Sequence, residues 1–160
     1  MSLPIKLIST DFDGTVHSDS EIPPIPAALE LKLAQLQRQG VKWMINTGRD
    51  LPGLMETLAR ARLSIWPDYL GLVEREIYVR EGDDFKPCGD WNARCTESHF
   101  ELFARVLSDM PALMQRIHSR HQATLYEDAF SPLCMIAKNN AEADGIMRIL
   151  EEYCASVPHL

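Results

Sequence analysis

Apolar residues along this chain fall into short strand-like runs separated by stretches of helical spacing. Ile5-Lys6-Leu7-Ile8-Ser9-Thr10 is rich in β-branched and aliphatic residues and reads as a strand. Residues 16–24, from Val16 to Pro24, are largely polar with two prolines at the end, and read as a loop or small flap. Ile25, Leu29, Leu33 and Leu36 then recur at helical spacing, with Gly40 as a natural stop. Val41-Lys42-Trp43-Met44-Ile45-Asn46 is the next expected strand. Asp50 can cap a helix whose apolar face is Leu51, Leu54, Met55 and Leu58, and Tyr69-Leu70-Gly71-Leu72-Val73 reads as a third strand. Strand, helix, strand, helix, strand predicts an α/β fold with a Rossmann-like parallel sheet and crossover helices.

From about Glu74 the pattern changes. Ile77-Tyr78-Val79-Arg80 and Phe85-Lys86 flank a Gly82-Asp83 turn and predict a hairpin. Phe103, Val106, Leu107, Met110, Leu113, Met114 and Ile117 keep helical period, with Pro111 placed to kink or restart the helix. Two strand-like stretches follow, Ala123–Tyr126 and Leu133–Ala137. Asn139, with Glu142 three residues on, resembles a capping arrangement opening a last helix that turns Ile146, Ile149, Leu150 and Tyr153 inward. Residues 1–86 are therefore expected to be the N-terminal part of a sheet core, and residues 87–160 an incomplete α+β unit. Where the sequence ends, at Ser156-Val157-Pro158-His159-Leu160, a further strand is expected.

At 46% hydrophobic and 24% charged residues, the composition is that of a globular protein. The formal net charge of −7 argues against a nucleic-acid partner, which calls for a basic stripe. No apolar run reaches the ~20 residues that span a bilayer, and Met1–Lys6 lacks the pattern of a signal peptide, so no membrane partner and a cytoplasmic location are expected. Cys88, Cys95, Cys134 and Cys154 form no C-x-x-C pair and read as reduced thiols. His118 and His121 could share a helix face as metal ligands, but with no third ligand beside them an exposed helix end is the better reading.

The chemistry concentrates in Asp11-Phe12-Asp13-Gly14-Thr15. Two carboxylates two residues apart follow the first strand, at the sheet edge where open α/β folds bind ligands. Gly14 permits close backbone approach to an anion, and the amides around it, Thr15 included, can donate to phosphate oxygens. One carboxylate can attack a phosphoryl group to give an aspartyl-phosphate, while the other protonates the leaving oxygen and later activates water. Mg²⁺ held by one or two carboxylates and the substrate phosphate would offset the negative charge. The bland alternative is a solvated Asp-Gly turn, but four such residues coincide by chance in about one per thousand chains of this length. Asn46-Thr47-Gly48-Arg49 ends the second strand on the same edge. The Thr47 hydroxyl and Gly48 amide can hold the same phosphate, and Arg49 can reach substrate or fix the loop.

The segment Asp11-Phe12-Asp13-Gly14-Thr15 resembles the first motif of the haloacid dehalogenase superfamily, and Ile45-Asn46-Thr47-Gly48-Arg49 resembles its second. The Thr-Gly-Arg form, followed by a helix and then Tyr69 to Tyr78, is similar to the Cof-like sugar-phosphate phosphatases, in which an α/β cap is inserted after the second motif. The resemblance implies Asp11 as nucleophile and Mg²⁺ ligand. It implies Asp13 as general acid/base that lends its backbone carbonyl to the metal, and Thr47 as phosphate anchor.

The family also uses a lysine that braces the phosphate and an acidic pair that completes the metal site. Gly82-Asp83-Asp84 imitates the acidic pair but reads as a hairpin turn, and Lys86 and Lys138 read as surface residues. The leading expectation is a Mg²⁺-dependent phosphatase on small phosphorylated metabolites such as sugar phosphates. The competing readings are an incomplete module serving in binding or assembly, and a phosphomutase or phosphotransferase. The 160 residues tested alone are expected to be nearly inactive.

Overall fold

A computed structural model of the chain describes residues 5–128 and 130–157. The chain divides into two compact units, Met1–Thr96 and Glu97–Leu160.

The first unit holds a five-stranded sheet in sequence order, β1 (Leu7–Asp11), β2 (Lys42–Thr47), β3 (Tyr69–Leu72), β4 (Glu76–Glu81) and β5 (Asp84–Pro87). The first three strands are parallel, as expected, and are joined through α1 (Ala27–Arg38) and α2 (Leu51–Ala61). The predicted hairpin β4–β5 extends the same sheet in antiparallel sense. The first strand starts two residues later than Ile5 and runs through Asp11.

Register sorts the side chains onto two faces. Ile8 pairs with Trp43, Thr10 with Ile45, Ile45 with Leu70, and Thr47 with Leu72. Trp43, Ile45, Leu70 and Leu72 in this row are fully buried, as are Leu54 and Leu58 of α2. On the other face Leu7 is 47% exposed, and Asp11 stands beside Asn46. Asp68, just before β3, accepts from Lys42 Nζ at 2.7 Å, from the Trp43 amide at 3.0 Å and from Gln37 Nε2 at 3.0 Å. It thereby ties α1, β2 and β3 together below the site. The start of α2 is set by Asp50, whose Oδ1 accepts the Gly53 amide at 2.9 Å.

A long helix, α3 (Trp91–Val106), leads into the second unit. There the chain makes a 3₁₀ turn at Leu107–Asp109 and restarts as α4 (Met110–His118), with Pro111 in its first turn. The hairpin β6 (Ala123–Tyr126) and β7 (Cys134–Ala137) and the helix α5 (Asn140–Ser156) complete it. Its core is Val106, Met110, Leu113, Ile117, Ile146 and Ile149, with Leu150 and Tyr153 packed against it.

The expected cap at Asn139 is present, its Oδ1 accepting the Glu142 amide at 3.1 Å. The Glu142 side chain does not fold back onto it, however. Glu142 Oε2 lies 2.8 Å from His121 Nδ1, so His121 is half-buried rather than an exposed helix end, while His118 is exposed. Gly145 makes this possible, because a Cβ there would lie 2.2 Å from His121 Cε1. The strand expected at the chain end falls partly on residues 158–160, outside the described residues, and Ser156 closes α5. No helix among the described residues is long and apolar enough to cross a membrane.

Candidate phosphoryl-transfer site

β1 delivers Asp11 to the carboxyl end of the sheet, and the chain turns at once. The turn is closed by the Phe12 carbonyl, which accepts the amides of Val16 and His17, both at 2.9 Å. Gly14 sits at φ +77°, where a side chain is strained, and its amide donates to the His17 carbonyl at 2.8 Å. The Thr15 amide points back to the Phe12 carbonyl at 3.3 Å. The amides of Gly14 and Thr15 are thus engaged inside the turn. What the motif turns outward is the Asp11 carboxylate, one oxygen of which accepts the Thr15 hydroxyl at 2.8 Å. Phe12 and Val16 anchor the turn in the core, and the buried His17 ring stacks on Phe12 at 5.1 Å.

β2 brings the second motif alongside. Asp11 and Asn46 are register partners, and Thr47, one residue on, is buried with its hydroxyl 3.5 Å from Asp13 Oδ2. Thr47 Oγ1 also accepts the Arg49 amide at 3.3 Å. Gly48 lies beside the carboxylate of Glu74, since a Cβ on Gly48 would be 3.5 Å from Glu74 Oε1.

Arg49 grips Asp13. Its Nη2 donates to Asp13 Oδ1 at 2.6 Å and its Nε to Oδ2 at 2.9 Å, a bidentate pair. The third edge of the guanidinium, Nη1, donates to Thr57 Oγ1 at 2.8 Å, and the carbon at its centre lies 5.5 Å from the Phe12 ring centroid. The hydrogen bond from Arg49 holds the Asp13 carboxyl below the usual carboxylate range, outweighing the opposing effect of burial. Asp13 in turn raises the pKa of Arg49.

All the residues singled out in the two motifs, Asp11, Asp13, Gly14, Thr15, Thr47, Gly48 and Arg49, therefore lie at one edge of one sheet. Asp83 and Asp84 do not join them. Each is exposed on the hairpin, Asp83 3.8 Å from Arg80 and Asp84 3.8 Å from Lys86. Lys138 in the second unit bonds to Gln122 Oε1 at 2.7 Å. Among the described residues no three His, Cys, Asp or Glu side chains converge as metal ligands.

No protein-family model matches this chain, and no curated protein matches it by sequence. Solved structures do. A haloacid dehalogenase-like hydrolase of Bacillus subtilis, yhjK, superposes with a TM-score of 0.51 and 17% identity, over 92% of this chain. The fold is that of the haloacid dehalogenase-like hydrolases. The chain spans 56% of the length of the Bacillus protein. TM0651 of Thermotoga maritima aligns over 95% of this chain and 76% of its own, at 12% identity and a TM-score of 0.42.

Two residues of the site escaped the sequence patterns. Thr57 reads only as one polar position in an amphipathic helix, and His17 as part of a polar loop. The one signal for Thr57 is its position two turns after Arg49, on the helix that Asp50 opens.

Proposed function

We propose that this protein is a phosphatase of small phosphorylated metabolites, sugar phosphates foremost, acting through an aspartyl-phosphate on Asp11. The observation that carries the reading is the Asp11 carboxylate at the end of β1, exposed and oriented by Thr15, with a second carboxylate and an arginine fixed beside it.

In the first step an Asp11 oxygen forms a bond to phosphorus as the bond to the leaving alkoxide breaks. Asp13, protonated once the phosphoryl group draws Arg49 off it, gives the leaving oxygen its proton and then takes one from the water that hydrolyses the acyl phosphate. Thr47 and Gly48 orient the phosphoryl oxygens, and Arg49 adds positive charge.

Mg²⁺ fits the donors present. The Asp11 carboxylate and the Asp13 carbonyl are hard oxygen ligands, and this ion takes one or two carboxylates while water and substrate fill its other positions. When bound it would offset the negative charge of the phosphoryl oxygens. A second reading, a binding or assembly module on the same fold, is favoured by the Asp13 carboxylate being already engaged on both oxygens by Arg49.

Release of phosphate from a panel of sugar phosphates and p-nitrophenyl phosphate by the full reading frame that carries these residues, with Mg²⁺ or with EDTA, separates the two. Metal-dependent release that disappears in Asp11→Asn supports the phosphatase. An Asp11→Asn chain as active as wild type, with unchanged circular dichroism, overturns it.

A further inference from the structure

We propose that Thr57 is a positioning residue for the phosphoryl-transfer site, acting through Arg49 on Asp13; the catalytic part of this inference rests on the function proposed above. Thr57 lies in α2, away from both motifs, and is 3% exposed. Its hydroxyl donates to the Gly53 carbonyl at 3.0 Å. A helical threonine often makes that bond to the preceding turn, and the bond alone would account for burying the donor. It does not account for the acceptor side, where the oxygen receives Arg49 Nη1 at 2.8 Å.

The direction of the Thr57 hydroxyl is what makes this contact informative. With its proton committed to the Gly53 carbonyl, a lone pair of Oγ1 faces the guanidinium. Arg49 is then held on three sides, by Thr57 at Nη1, by Asp13 at Nε and Nη2, and by the Phe12 ring against its face. An arginine side chain otherwise samples many rotamers. Removing the Thr57 contact frees one edge of the planar group, and the geometry of the opposite edge, which sets where the Asp13 carboxylate stands, loosens with it. Asp13 is half-exposed and has few other restraints, a 3.5 Å contact to Thr47 among them. Proton transfer is sensitive to displacements of about 1 Å, so loosening Asp13 lowers the rate more than it weakens binding.

The test compares Thr57→Val, which keeps the shape but removes the oxygen, with Thr57→Ser, which keeps the oxygen. The first readout is the Arg49 Nε–H signal in a ¹H–¹⁵N NMR spectrum of the chain. Wild type and Thr57→Ser should show it as a discrete, slowly exchanging peak. In Thr57→Val it should collapse into the envelope of solvent-exposed arginines while the backbone amide spectrum is retained. The second readout is Mg²⁺-dependent hydrolysis of p-nitrophenyl phosphate by the full reading frame that carries these residues, where kcat in Thr57→Val should fall about tenfold to a hundredfold with KM within about twofold, and Thr57→Ser should restore it. If the valine variant does not fold, Thr57→Ala gives the same two readings. An Arg49 signal unchanged without the hydroxyl overturns the positioning role whatever the activity. A lost signal, where the wild-type full reading frame releases no phosphate, supports the tether and counts against the phosphatase reading alone.

Discussion

The carboxylate of Asp13 is held edge-on by the guanidinium of Arg49, with contacts of 2.6 and 2.9 Å on its two oxygens. Asp13 is thus ionised and directed before any substrate arrives, which suits a base that activates water. For the proton-donating step the pair has to open or share the incoming phosphoryl group, because a carboxylate held this low is a poor acid. Arg49→Lys keeps the charge but not the fork, and a lysine cannot bond both carboxylate oxygens and Thr57 together. Phosphatase activity in Arg49→Lys should therefore fall about tenfold to a hundredfold. Steady-state kinetics with p-nitrophenyl phosphate read it, and wild-type kcat in this variant would show that the charge alone suffices.

Asp68 should make folding depend on acid. Burial pushes its carboxyl up, but hydrogen bonds from Lys42, the Trp43 amide and Gln37 prevail and hold it below the usual range. A group whose pKa is lower when folded than when unfolded stabilises the fold above its unfolded value, about pH 4, and stops doing so as the pH falls through its folded value. Asp68→Asn should cost about 1–3 kcal/mol at neutral pH, since a charged acceptor with three donors becomes a neutral amide. The deficit should shrink below about pH 4. Urea unfolding across that range checks it, and a deficit independent of pH would remove the charge from the account.

In the second unit Gly145→Ala should destabilise, although alanine is the better helix former by about 1 kcal/mol. Its Cβ would meet the His121 ring at 2.2 Å and force it off Glu142. A net loss of about 1–3 kcal/mol is expected from the overpacking. His121→Ala in the same chain should recover much of it, because the obstructing ring is gone. Thermal unfolding of the single and double variants gives the answer, and a Gly145→Ala chain more stable than wild type would contradict the packing.

Much of this fold was legible because its elements announce themselves locally. The strand at Leu7–Asp11, the cap at Asp50, the restart at Pro111 and the turn at Gly82-Asp83 each follow from propensities acting within a few residues. Asp11, Asp13, Thr47 and Arg49 were legible as a set because parallel strands carry their ends to one edge. What stayed hidden depends on pairing between distant segments. Asp13 and Arg49 are 36 residues apart, and no local pattern says that they meet. His121 looked solvated because nothing local marks Gly145 as the surface it packs on. Thr57 is an ordinary helix threonine until α2 is laid beside the turn.

The most direct measurement is the site of covalent phosphate. Asp13→Asn removes the base for the second step, while p-nitrophenolate leaves without needing a proton, so the phosphoryl-enzyme should accumulate. The variant, made in the full reading frame that carries these residues, would be incubated with p-nitrophenyl phosphate and Mg²⁺, quenched in acid and mapped by mass spectrometry. One phosphoryl group on Asp11 is expected, absent when Asp11→Asn is added. A phosphoryl group on any other residue, or none at all, would contradict it.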